Sequence, residues 1–293
     1  MSDYLVTAMT ADGKFRLFAV DATQTVSEAQ KRHDTWSAST AALGRTLVAT
    51  GLLSAAELKD KDDMLTVRVK GDGPAGLIVA DGAANGTVRG YIQEPHVNLP
   101  LNVVGKIDVA ATVGKNGLLA VTKLLAGGKP FTGQVPLVSG ELGADFTYYL
   151  AKSEQIPASV GVSVFVNADN SVGVAGGFLV EALPGATDEA LRKLEENIKT
   201  LPLVSEMLRQ GLKPEQILDR VAGNQKLMIL DTKDFAFKCS CSKGRFWKAL
   251  RTLKTSDLQA MIDEDGGAET TCRFCGQKYT FSAQELEKII SEK

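Results

Sequence analysis

The four cysteines of this chain, Cys239, Cys241, Cys272 and Cys275, all fall within the last fifth of its 293 residues. They come as two close pairs, Cys239-Ser-Cys241 and Cys272-Arg-Phe-Cys275, with residues 242–271 between them. Four thiolates so paired can surround one tetrahedral Zn²⁺ at a Zn–S distance of about 2.3 Å. Gly276, just after the second pair, resembles the tight turn of a zinc knuckle. A strand-like run at 279–281 and a helix from Ser282 complete a small module. The only histidines, His33 and His96, lie far away in sequence, so a site of four cysteines is expected in place of mixed ligation.

Such a site reads in two ways. A plain zinc ribbon more often carries C-x-x-C, whereas the first half here is C-x-C. Neighbouring thiols within each pair can become disulfide partners once a metal leaves, provided the backbone bends to bring them together. Lys238, Lys243, Arg245, Lys248, Arg251 and Lys254 flank the first pair, with no acid between Lys238 and Lys254. A cationic surround favours thiolate over thiol, and hence oxidation. The same residues also suit a solvated helix face that balances the negative charge of a zinc tetrathiolate. On spacing alone, a structural site and a redox switch both stay open.

Composition narrows the setting. Lys+Arg number 33 against 35 Asp+Glu, a net charge of −2, which excludes a generally basic nucleic-acid binder. With 44% hydrophobic residues the chain can bury a sizeable core, and its length suggests about two domains. The opening MSDYLVTAMTADGK lacks a basic stretch followed by an apolar one, so no signal peptide is expected. The apolar run 41–53 is broken by Arg45 and falls short of the ~20 residues of a membrane span. A cytoplasmic protein is expected. In that reducing compartment clustered cysteines point to metal or redox chemistry, not to permanent disulfides.

Residues 4–9 and 15–20 flank Asp12-Gly13, a hairpin signal. The spacing of Ala29, Trp36, Ala42, Leu43, Leu47 and Val48 predicts one long helix over 27–53. Short β-rich runs follow at 64–70, 76–81, 87–92, 107–113 and 118–124, punctuated by glycine. That rhythm predicts antiparallel sheet, not a parallel βαβ array. A helix is expected at 139–155 and two strands at 159–167 and 171–180. After Pro184, helices are predicted at 187–201, 203–210 and 214–221, with Gly211 and Gly223 at their ends and Pro214 in a first turn. These pieces are apolar but too short to stand alone in water, so they must dock. Two capping boxes, Ser256 to Gln259 and Ser282 to Glu285, predict two helices in the last segment. The expected fold is α+β: an N-terminal α/β body with antiparallel sheet over 1–180, a helical linker over 181–232, and a small zinc-binding module over 233–293.

Other motifs carry less. Gly71-Asp-Gly-Pro-Ala-Gly76 matches the G-x-G-x-x-G string, but a strand-like run follows it where a dinucleotide site needs a helix. A hairpin turn is the better reading. No Walker A string occurs, and neither histidine has a nucleophile and acid arranged around it, so no catalytic group is assigned and no enzyme is expected.

The CSC…CRFCG arrangement, closing a chain of this length, resembles the bacterial redox-regulated heat-shock chaperone family. Residues 139–157, SGELGADFTYYLAKSEQIP, are similar to that family's central segment, and 265–279, DGGAETTCRFCGQKY, to its zinc knuckle. The resemblance implies an ATP-independent holdase that binds unfolding proteins and prevents their aggregation under oxidative and heat stress. It implies one Zn²⁺ per chain, held by Cys239, Cys241, Cys272 and Cys275 in a reduced, inactive form. On oxidation it implies disulfides Cys239–Cys241 and Cys272–Cys275, loss of zinc, loosening of the 181–232 linker, and often a homodimer. Two other functions compete. A zinc-dependent nucleic-acid-binding protein would use the 238–254 basic run with Phe246 and Trp247, against a pI near 5.8. A thiol-disulfide oxidoreductase would need a solvent-facing thiol of low pKa, usually C-x-x-C near a βαβ unit.

Overall fold

The computed structural model describes residues 2–223 and 225–293. The chain divides into two compact units, a body ending at Lys238 and a module starting at Cys239.

The body begins with the expected hairpin, β1 (Tyr4–Thr10) and β2 (Phe15–Asp21), its turn held by Thr10 Oγ1 donating to Asp12 at 2.7 Å. Two helices follow, α1 (Thr23–His33) and α2 (Ser37–Glu57), where the apolar period predicts one. The break is at Asp34, whose backbone is left-handed at φ 49°. Aspartate tolerates that conformation better than most residues, and an apolar period carried across one such residue hides the turn. Then come β3 (Met64–Lys70), β4 (Leu77–Ala83) and β5 (Thr87–Ile92). The Gly71–Gly76 string is the turn between β3 and β4, with Lys70 opposite Leu77. A Cβ at Gly71 would lie 2.1 Å from the Val113 carbonyl oxygen, so close backbone approach, not a phosphate, explains that glycine.

The segment 107–113, predicted as strand, is instead a short helix, α3 (Val109–Val113). Asp108 caps it, accepting from Ala111 N at 2.8 Å, and this cap outweighs the β-branched composition. Two strands follow, β6 (Leu118–Leu124) and β7 (Phe131–Pro136). The predicted 139–155 helix is α4 (Gly143–Tyr149) followed by a wider π turn over Leu150–Glu154. Next are β8 (Ala158–Val166) and β9 (Val172–Ala182). Three short helices lie where sequence places them: α5 (Asp188–Lys199), α6 (Val204–Arg209) and α7 (Pro214–Ala222). The chain then returns as β10 (Leu227–Asp234) and β11 (Ala236–Phe237).

These strands make two sheets, ordered β10-β1-β2-β9-β8 and β11-β5-β4-β3-β6-β7. All pairings are antiparallel except β11 with β5. Helix α2 is buried nearly all round, as a helix apolar on every side must be. It shares one core with Phe18, Val20 and Leu179 of the first sheet and Leu65, Val67, Ile78 and Val121 of the second. Its hydroxyls are satisfied internally: Thr46, Thr50 and Ser54 each donate to the carbonyl four residues back, at 2.7–2.9 Å. Gly51 lets the Phe235 ring press against the helix, where a Cβ would lie 2.3 Å from it.

Strand β2 is buried on both faces, so the first sheet has a second apolar side. There Val6, Phe15, Leu17, Phe178 and Val180 meet Leu194 of α5, Val204, Met207 and Leu208 of α6, and Ile217, Leu218 and Val221 of α7. This is what the three short helices dock on. Tyr4 adds a hydrogen bond from its hydroxyl to Glu215 at 3.0 Å. Residues 227–230, grouped by sequence with the helical stretch, instead pair with β1 at the sheet edge, with Met228, Ile229 and Leu230 exposed.

A charged cluster sits at the end of α2. Lys123 Nζ bridges Glu57 at 2.5 Å and Glu154 at 2.6 Å, and the Tyr149 hydroxyl donates to Glu154. Burial pushes the Glu57 carboxyl up to about 7 despite Lys123. Among the described residues no helix is long and apolar enough to cross a membrane.

Candidate metal centre

The module holds α8 (Lys243–Leu250), α9 (Thr255–Asp265), the hairpin β12 (Gly267–Thr271) with β13 (Lys278–Ser282), and α10 (Ala283–Ser291). Its fully buried apolar core is Leu250, Leu258, Phe281, Leu286 and Ile289, with Phe246, Trp247 and Tyr279 packed around it. The capping box at Ser282 forms: Ser282 Oγ accepts from Glu285 N at 3.3 Å, and Glu285 accepts from Ser282 N at 3.0 Å. The one predicted at Ser256 does not. Helix α9 starts two residues earlier, capped by Lys254, and Ser256 turns its hydroxyl to Asp257 at 3.2 Å.

Cys239 and Cys241 precede α8, whose N-terminus Ser242 caps by accepting from Arg245 N at 3.3 Å. Cys272 and Cys275 occupy the turn between β12 and β13. Cys272 O accepts from Cys275 N at 3.3 Å and from Gly276 N at 2.8 Å, while Cys272 N donates to Gln277 O at 2.9 Å. Gly276 takes φ 69°, the left-handed conformation its place in the motif requires.

All four sulfurs meet, each within 4.8 Å of the others. Cys239 Sγ lies 3.7 Å from Cys272 Sγ, and Cys241 Sγ 3.4 Å from Cys275 Sγ. A tetrahedral zinc site with Zn–S near 2.3 Å has sulfur–sulfur edges of about 3.8 Å. The set therefore has the size of a four-sulfur metal site and could hold a metal ion. The electrostatics point the same way. With no cation, burial pushes the Cys275 thiol up to about 12 and the Cys272 thiol up as well. Four thiolates gathered this closely, two of them buried, need a positive partner at their centre.

Sequence reasoning missed Tyr279 as part of this site. Its hydroxyl lies 3.2 Å from Cys241 Sγ, and that hydrogen bond pushes the phenol up to about 12. No spacing rule announces a phenol beside a thiolate; the folded module brings Tyr279 of β13 against Cys241 ahead of α8.

Half of the basic run is spent locally. Lys243 pairs with Glu285 at 2.6 Å, Arg251 reaches Glu292, and Arg245 donates to Ser240 Oγ at 2.8 Å. Phe246 packs on Tyr279 and Trp247 on Phe281, so the aromatics that a nucleic-acid site would offer to bases serve the module core. In the body, His96 contacts Asp34 at 3.0 Å and stacks on Trp36.

A family model described as Hsp33 protein matches residues 3–282. The 33 kDa chaperonin of Lacticaseibacillus casei is 66% identical over 291 residues, covering 99% of each chain. That of Listeria innocua is 52% identical over 294 residues, covering 100% of this chain and 99% of the relative. The crystal structure of the 33 kDa chaperonin (heat shock protein 33 homolog) from Thermotoga maritima matches with a TM-score of 0.92 at 35% identity, covering 100% of this chain and 99% of that one. On both sequence and fold, this chain belongs to the Hsp33 family of chaperones.

Proposed function

We propose that this chaperone is a cytoplasmic, ATP-independent holdase for unfolding proteins, switched on by oxidation of its four cysteines. The observation that carries the reading is the meeting of four sulfurs, from residues 239–275, in a module with few other buried groups. Cys239, Cys241, Cys272 and Cys275 hold one Zn²⁺ in the reduced form, and the ion supplies a charge that keeps four thiolates together. Zinc binding to small cysteine sites contributes roughly 10–16 kcal/mol as folding free energy. A whole domain retains only about 5–15 kcal/mol.

Under oxidative stress with unfolding conditions, Cys239 pairs with Cys241 and Cys272 with Cys275. Four thiolates lose four electrons to two molecules of peroxide, which with four protons become four waters. Two disulfides form, consuming all four ligands and releasing the ion. The module from Cys239 onward then unfolds, and the α5–α7 helices of the 181–232 linker leave the body. Because α5, α6 and α7 cover the outer side of the first sheet, their departure bares Phe15, Leu17, Phe178 and Val180. Apolar surface of that kind gains about 25 cal/mol per Å² when a client covers it. Two activated chains associate as a homodimer through the surface so exposed.

The test is peroxide treatment at heat-stress temperature, with zinc release followed by a chromogenic chelator and client aggregation by light scattering. Zinc release together with suppressed aggregation is the expected result. Zinc release with undiminished aggregation overturns the reading.

A further inference from the structure

The body carries an open feature far in sequence from the sulfurs. Strand β8 is the outer strand of the first sheet. Val160 N donates to Thr147 Oγ1 at 2.9 Å, away from β9. By the period of two, Val162 and Val164 also turn their backbone groups outward. The partner strand agrees: Ala175, opposite Val164, sends its amide to Thr23 and takes the Ala22 amide on its carbonyl. Among the described residues no strand pairs with that outer edge.

Along this edge lies a cleft of about 620 Å³. It is lined by residues 163–166 of β8, by Leu101 and Val104 from the 98–107 loop, and by Leu203 before α6. Leu101, Val104 and Leu203 are 61%, 69% and 43% exposed, an apolar lining open to solvent. Three cations, Arg45, Lys106 and Arg209, line it, with Glu206 the only acid among the described lining residues. Arg45 holds Glu141 through Nη1, but its Nε is buried and has no hydrogen-bond partner among the described residues.

We propose that this cleft binds an extended segment of an unfolding polypeptide, apolar with flanking carboxylates, which adds a strand to the free edge of β8. An unpaired strand edge supplies main-chain hydrogen bonds that any sequence can accept. The apolar lining takes alternate side chains, and a carboxylate meets Arg45 Nε as charge-assisted acceptor. Lack of sequence discrimination is what a holdase needs, so the proposal rests on that reading and gives it a surface. The linker shares this surface: Glu206 of α6 pairs with Lys106 at 2.9 Å, Ser205 with Ser163 at 2.5 Å, and Arg209 lies 4.2 Å over the Phe165 ring. Release of α6 therefore widens the cleft without removing the β8 edge.

The probe is a fluorescent peptide of alternating valine and threonine flanked by two glutamates, titrated into the full chain in both redox forms and read by anisotropy. Saturable binding is expected. It should weaken at least about tenfold when alternate peptide amides are N-methylated, when lysines replace the glutamates, and in the Leu101→Asp/Val104→Asp protein. The N-methylated peptide needs no protein variant, so misfolding cannot mimic its effect. Absent binding, or equal binding of the methylated peptide, overturns the proposal. So does a dimer in sedimentation velocity that the same two substitutions dissolve, since a second copy then fills the cleft. If the oxidised protein suppresses aggregation while the peptide never binds, the cleft fails and the holdase reading stands. If the peptide binds but aggregation is never suppressed, the cleft stands and the holdase reading fails.

Discussion

The body and the module solve the same problem with different means. In the body, α2 is wrapped by two sheets, and one contiguous core runs from Leu5 and Phe18 to Val121 and Tyr149. A second core on the far side of the first sheet adds the α5–α7 helices. Loss of any one side chain there is a local injury. In the module, five fully buried apolar side chains serve residues 239–293, well below what a chain of that size needs to stand alone. Its two cysteine pairs tie the start of the module to the β12–β13 turn. The difference teaches where a reversible switch can be placed. On the function proposed above, fold stability concentrated in four oxidisable atoms can be removed at once, whereas stability spread over a close-packed core cannot.

Removing metal breaks the comparison most sharply. The two tryptophans report separately, Trp36 from the body and Trp247 from the module core. A strong chelator with a mild oxidant should collapse the Trp247 signal in a Trp36→Phe protein, a loss on the order of the 10–16 kcal/mol of metal-coupled folding. In the Trp247→Phe protein, Trp36 emission should stay near its native wavelength. A Trp247 environment unchanged after complete metal loss, measured on the same sample by metal analysis, would show that the five-residue core suffices.

Legibility in the sequence follows the same divide. The cysteine cluster is readable because a set that could hold a metal needs four sulfurs at defined spacing, and Gly276 marks the turn. The hairpin of β1 and β2 is readable from Asp12-Gly13. Helix α2 is readable as a helix, but its separation from α1 at Asp34 is not, since the apolar period runs through the break. Strand β7 escapes because Gly133 and Pro136 lie in it and only Gly133 and Val135 of its residues are buried. The amphipathic spacing of α5–α7 announces a buried face without saying against what. The answer lies in β2, where the unbroken apolar run of Leu17, Phe18, Ala19 and Val20 implies burial on two sides. Tyr279 beside Cys241 depends on how β13 meets the segment ahead of α8, which spacing does not encode.

A smaller effect, confined to the body, comes from Glu57. Its folded carboxyl titrates near 7 against an ordinary value of 4.5, raised by burial, with Lys123 opposing and Glu154 and Glu181 adding to the rise. Between those values the folded state binds more protons than the unfolded one, so body stability falls as pH rises from about 4.5 to about 7 and then levels. The swing is on the order of 3 kcal/mol, the opposing pull of Lys123 already included. Glu57→Gln should flatten it, seen as urea midpoints by Trp36 fluorescence at pH 5 and pH 8 that converge in the variant. Midpoints that still diverge as in the parent would assign the pH dependence elsewhere.

The smallest effect sharpens the comparison from the module side. Ser282 caps α10 through the reciprocal bonds with Glu285, and Glu285 also pairs with Lys243 of α8. Ser282→Ala removes one accepting oxygen from an exposed helix start, a loss of about 1 kcal/mol. In a close-packed domain such a change would shift the whole unfolding transition slightly. Here the metal-bound module should barely register it, because ligation outweighs it several times over. Once the sulfurs are oxidised, nothing outweighs it, and Ser282→Ala should speed peroxide-driven unfolding by up to about fivefold in stopped-flow Trp247 fluorescence. An equal acceleration in the metal-bound and oxidised forms would mean that ligation and the helix caps contribute on the same scale, and the contrast between the two units would lose its physical basis.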